Sequence, residues 1–155
     1  MIINHFGECY LLFCACVIFH ELAHYIVAKC IHLKVLQINF GEELFAVHIG
    51  KLSLSPNMLF GSGVIVSEES LVKKTRKQMA AFFLAGIAAN LVTAVVGMVL
   101  WKWTSPLYGS FVFWESVYMI VIGSIPYCPW DSDAKKIRLF WKKCRTEEAD
   151  GPEYE

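Results

Sequence analysis

The stretch MAAFFLAGIAANLVTAVVGMVLW, at about 79–101, carries no ionisable side chain and is long enough to cross a bilayer as one helix. Such a segment has few alternatives, because in hydrocarbon a helix satisfies every backbone N–H and C=O without help from a neighbour. Two more runs extend the pattern. YLLFCACVIFHELAHYIVAKCIHL, at about 10–33, exceeds the roughly 20 residues that one crossing needs. FVFWESVYMIVIGSIPYC, at about 111–128, spans narrowly, carries Glu115 near its start and ends at Pro126 and Pro129, which break helices. Composition agrees, with 56% of the 155 residues hydrophobic and only 18% charged, below the roughly 25% charge of soluble domains. The expected fold is an α-helical integral membrane protein with three transmembrane helices in a single domain over 1–155.

Between the first two runs, at about 34–68, apolar and polar residues alternate in short stretches punctuated by Gly41, Gly50, Gly61 and Gly63. That pattern predicts a small membrane-associated β-sheet between the first and second crossings. After Trp130 the tail, at about 134–155, begins as a basic amphipathic segment with Ile137, Leu139, Phe140 and Trp141 among its cations, and ends acidic. It is expected to lie on the membrane surface and then to be disordered. Of the fourteen Lys and Arg residues, Lys102 alone falls clearly on the N-terminal side; Lys51, Lys73, Lys74, Arg76, Lys77 and the cluster at 135–145 fall on the other. The positive-inside rule then puts the N-terminus outside and the C-terminus in the cytoplasm. Trp101, Trp103, Trp114 and Trp130 stand near the expected helix ends, as an interfacial aromatic belt requires. The first run lacks a basic leader and a small-residue cleavage site and is expected to be retained. Six cysteines form no C-x-x-C pair, so neither a disulfide framework nor a cysteine zinc site is expected. A net charge of zero gives no reason to expect nucleic acid as a partner.

His20-Glu21-Leu22-Ala23-His24 is an H-E-x-x-H motif inside the first crossing. On a helix its histidines stand one turn apart on one face, so both imidazoles can bind one zinc ion. Zinc lowers the pKa of bound water toward roughly 7 and polarises a scissile carbonyl, while the Glu21 carboxylate takes the proton and returns it to the leaving amine. Two histidines and a glutamate in the middle of an apolar crossing cost on the order of a few kcal/mol, so residues at that depth usually have partners and a function. A hydrolytic zinc site needs three protein ligands and one open position. His5, His32 and His48 fall outside the expected hydrocarbon layer or in the strand region, and Glu115 lies toward the opposite membrane face; Asp131 and Asp133 remain. Asn90, an amide within an uncharged crossing, could hydrogen-bond the water, the substrate backbone or the tetrahedral intermediate, or serve as glue between helices. Gly86, with Ala81, Ala85 and Ala89, forms a small-residue face for close helix packing. The strand edge from Gly61 to Val66, with Gly61, Gly63 and Val64 as candidate contacts, suits β-augmentation by an extended substrate, or else belongs to a sheet resting on the membrane.

Three motifs in order resemble the site-2 protease family of intramembrane zinc metalloproteases, over nearly the whole chain. They are His20-Glu21-Leu22-Ala23-His24, then Ala85-Gly86-Ile87-Ala88-Ala89-Asn90, similar to the family's A-G-P-x-x-N, then Pro126-Tyr127-Cys128-Pro129-Trp130-Asp131-Ser132-Asp133-Ala134, similar to its segment of prolines followed by aspartate and glycine. Leu59-Phe60-Gly61-Ser62-Gly63-Val64 also resembles the family's membrane-associated strand and loop. The resemblance implies a three-helix core with zinc held by two histidines and an aspartate, cutting peptides in or beside the bilayer. Ile87 departs from the usual proline, Gly123 from an asparagine, and Ser132 or Ala134 from a glycine. Spacing from Pro126 favours Asp131 as third ligand, whereas the string around Asp133 favours Asp133, which is preferred. The expected function is zinc-dependent endopeptidase action on membrane-anchored or hydrophobic peptides in a bacterial cell membrane, with a recruiting membrane partner. The alternative is a non-catalytic relative that binds peptide or metal as an immunity or regulatory subunit.

Overall fold

The computed structural model describes residues 2–42, 46–58, 61–125 and 133–149. Helix α1 (Ile2–Cys30) is followed by strands β1 (Val35–Phe40), β2 (Val47–Ile49), β3 (Leu52–Leu54) and β4 (Gly63–Val66). Then come the short α2 (Glu68–Val72), α3 (Arg76–Trp103), α4 (Pro106–Ser124) and α5 (Asp133–Ala149). Among the described residues, three stretches are long and apolar enough to cross a membrane: His5–Cys30, Arg76–Trp103 and Pro106–Ser124.

Local chemistry sets the helix ends. No proline interrupts the mixed apolar and polar stretch before residue 10, so α1 starts eight residues before that point, at Ile2. It stops at Cys30 because His32 takes a positive φ of 56°, letting Leu33 N–H donate to Ala28 C=O (2.8 Å) and His32 N–H to Lys29 C=O (3.0 Å). That is a Schellman ending with a histidine where glycine is usual. Helix α3 begins at Arg76 because Thr75 and Gln78 form a reciprocal capping box. Helix α4 starts at Pro106, which fits the first turn because its missing N–H is one the helix leaves unpaired. Ile125 is extended, as the residue before a proline tends to be.

This early start corrects two expectations. Glu115 and Trp114 stand in the middle of α4, not near a helix end. Glu115 is half-buried and interacts with Cys16, one turn before His20 on α1. Helix α4 is tied to α3 by Thr93 Oγ1 and the fully buried Ser116 Oγ, 2.8 Å apart. Residues 126–132 of the proline segment, Trp130 among them, lie outside the described residues.

The sheet runs in the order β2-β3-β1-β4, with β1 parallel to β3 and antiparallel to β4. Strands β2 and β3 form a hairpin across Gly50, at φ 62°. The segment after β3 reaches far along α1: Tyr10 OH donates to Pro56 C=O and accepts from Met58 N–H. Tyr10 lies about 30 Å up the helix from Cys30, at the helical rise of roughly 1.5 Å per residue. The sheet's exposed side chains include Leu36, Val47, Ile49 and Ile65. At the opposite end, Ala28, Leu33, Val35, Met79, Phe82 and Phe83 form a buried cluster, against which Val64, Val66, Ile137 and Phe140 pack. That cluster joins α1, β1, β4, α3 and α5 beside His24.

Candidate metal centre

Helix periodicity turns His20 and His24 to one face of α1, and their Nε2 atoms lie 3.2 Å apart. Asp133 Oδ2 stands 3.6 Å from His20 Nε2 and 3.4 Å from His24 Nε2. All three residues are buried, at 8%, 5% and 7% exposure for His20, His24 and Asp133. Among the described residues they form the group of His, Cys, Asp and Glu side chains able to hold a metal ion. A tetrahedral zinc ion with ligand bonds of roughly 2.0–2.1 Å separates its donor atoms by about 3.3–3.4 Å. The donor set and its spacing fit that ion.

Each donor has a local reason for its position. His24 Nδ1 donates to the Phe82 carbonyl oxygen at 2.7 Å, which orients the ring and turns Nε2 toward the other donors. Asp133 opens α5, where a carboxylate is favoured by the unpaired N–H groups of the first turn. Ile137 and Phe140, one and two turns on, seat that helix in the core. Burial works to raise the Asp133 carboxyl, but its hydrogen bond with His24 and the charges of His24, His20 and Lys136 hold it below the ordinary aspartate range. Asp131 lies outside the described residues.

Helix α3 supplies the third side of the centre. A Cβ on Gly86 would overlap His20 Cε1 and Nε2 and His24 Nε2. Sequence reading assigned Gly86 to helix packing; the surface it packs against is the imidazole pair itself. Asn90, one turn further, is 1% exposed and interacts electrostatically with His20. Among the described residues, neither Asn90 Nδ2 nor His20 Nδ1 has a hydrogen-bond partner.

A cavity of about 250 Å³ adjoins these donors. Its polar lining is Glu21, His24, Asp133 and Lys136; its apolar walls come from Val64 and Val66 of β4, Leu71 of α2, and Phe82 and Phe83 of α3. Glu21, next to His20 and 6% exposed, thus borders open space beside the donor atoms. Of the three strand-edge residues, Val64 lines the cavity. Gly63 opens β4 opposite Asn39, and Gly61 makes a turn at φ 80° against Gly41 and Glu42. Val66, the end of the expected strand edge, lines the cavity too; Leu71 and Lys136 were not singled out from the sequence. Lys136 carried a usable signal, since three residues after Asp133 on a helix is the same face.

The model of peptidase family M50 matches residues 9–143. No curated protein and no solved structure matches the chain.

Proposed function

The chain belongs to peptidase family M50, the site-2 protease family, and on that premise we propose that it is a zinc-dependent, membrane-embedded endopeptidase acting on membrane-anchored or hydrophobic peptides. One observation carries the reading: His20 Nε2, His24 Nε2 and Asp133 Oδ2 lie within 3.6 Å of one another, beside a cavity that Glu21 lines.

His20, His24 and Asp133 would hold the ion. When bound, it supplies Lewis acidity, making a water easier to deprotonate and a carbonyl easier to attack. Glu21 takes the proton from the attacking water and passes it to the leaving amine. The Asn90 amide, with its nitrogen uncommitted among the described residues, donates to the oxyanion as the carbonyl carbon becomes tetrahedral. Apolar walls from Val64, Val66, Phe82 and Phe83 keep bulk water away from that charge.

A helical substrate must unwind first, because its peptide bonds are shielded by their own hydrogen bonds. Strand β4 is an edge of the sheet and brings Val64 and Val66 to the cavity, so an extended segment pairing along β4 from Gly63 would run past Glu21. The turn at Gly61 sets where that edge begins. The reach of the β3–β4 segment to Tyr10 and the exposed Leu36, Ile49 and Ile65 support a sheet immersed alongside α1 rather than lying on the membrane surface. The distribution of basic residues supports a multi-pass cell-membrane protein with its N-terminus outside and its C-terminus cytoplasmic. Recruitment of substrate would fall to a membrane partner.

The test is cleavage of a co-expressed membrane peptide by the zinc-loaded protein and by Glu21→Gln. Removing the general base should slow cleavage roughly a hundredfold or more, and a chelator should abolish it reversibly. Stoichiometric zinc with no Glu21-dependent cleavage would overturn the protease reading in favour of a peptide-binding relative.

A further inference from the structure

Metal binding and proton transfer leave one charged group of the cavity unused. Lys136, three residues after Asp133 on α5, lines the cavity with Glu21, His24 and Asp133, and its charge acts on His20, Glu21 and Asp133. Among the described residues, the ion pairs of the site are those of His20 and His24 with Asp133; Lys136 forms none with either carboxylate.

The charges of the loaded site balance without Lys136 and not with it. Two carboxylates, Asp133 and Glu21, offset a divalent ion, and both histidines bind metal as neutral rings. Lys136 therefore leaves the cavity one positive charge in excess. Moving a proton from water to Glu21 and on to the amine relocates charge inside the site and does not remove that excess. Lys136 is partly buried, and with Val64, Val66, Phe82 and Phe83 as walls its charge is less screened than on an open surface. A ligand carrying an anionic group would match that charge. At about 250 Å³ the space is smaller than the roughly 300–1,000 Å³ typical of whole small-molecule sites, and suits one apolar side chain with one small anionic group.

We propose that Lys136 binds a carboxylate of the substrate, so that the cavity selects an apolar residue with a negative charge beside it. This rests on the protease reading for its ligand class. The carboxylate has two sources of the same chemistry: the C-terminus of a short peptide, or an Asp or Glu side chain within a longer one.

The test uses the full-length, zinc-loaded Glu21→Gln protein and one fluorescent apolar peptide in three forms: free C-terminal carboxylate, C-terminal amide, and C-terminal amide with an internal Glu. Loss of the carboxylate should weaken binding roughly tenfold or more, the scale of a charge-assisted hydrogen bond. Which carboxylate form binds better identifies the source. Lys136→Met should erase the preference with zinc content unchanged, and Lys136→Arg should restore it. Equal binding of all forms, no binding of any, or a preference that survives Lys136→Met would overturn the assignment. Cleavage by the wild-type protein is read separately. Carboxylate-selective binding without Glu21-dependent cleavage sinks the protease and keeps the site, while cleavage with no selectivity does the reverse.

Discussion

One absent methyl group decides how near α3 comes to the imidazoles. Gly86 faces His20 and His24 so closely that a Cβ would occupy the space of their Nε2 atoms. Gly86→Ala should therefore cost roughly 1–3 kcal/mol in overpacking. It should also weaken zinc retention roughly ten- to a hundredfold, the range seen when groups behind metal ligands are disturbed. Competition with a chromophoric chelator measures the second effect, and wild-type retention would mean that the rings can step aside. The same packing explains the carbonyl of Phe82. Four residues before Gly86, it lies where the His24 Nδ1–H points, so one turn of α3 both makes room for that ring and orients it. Asn90, a turn beyond Gly86, completes a row of three along one helix face.

Among the elements, the ends carry more information than the middles. Helix α3 is apolar enough to form anywhere along 79–101, but the reciprocal bonds of Thr75 and Gln78 start it at Arg76. That cap sits directly below Met79, Phe82 and Phe83, the residues that pack beneath the metal centre. Thr75→Ala should destabilise the helix start by about 1 kcal/mol. Faster amide exchange over 76–79, with unchanged exchange at the far end of α3, is the expected sign; uniform exchange throughout would place the anchor elsewhere. The motif T-x-x-Q is visible in the sequence, as is Ser105-Pro106 before α4. Hydropathy alone passes over both, since capping is a hydrogen-bond property of a few backbone groups. For that reason Glu115 reads as a helix-end residue from the sequence and lies mid-helix in the fold, beside Cys16 and the Thr93–Ser116 tie.

Across the whole molecule, the candidate centre couples the beginning of the chain to its end, because α1 supplies two donors and α5 the third. Helix α5 is otherwise seated by Ile137 and Phe140 on the core cluster. An ion that binds only the folded state adds stability by mass action. Chelation should therefore lower the unfolding temperature of the zinc-loaded protein and raise amide exchange in α5. Asp133→Ala should show neither response, and an equal response in that variant would place the third ligand elsewhere. Three apolar crossings and a histidine pair on one helix face follow from the sequence by itself, because hydropathy and helical period act over distances the chain spans locally. Other features were left to tertiary structure. The approach of Asp133 to the imidazoles, the entry of Lys136, Val66 and Leu71 into one cavity, and the reach of the β3–β4 segment to Tyr10 each join residues far apart in the chain. No local pattern encodes such distances; they are set by how α3 and α5 pack on the shared core beside His24.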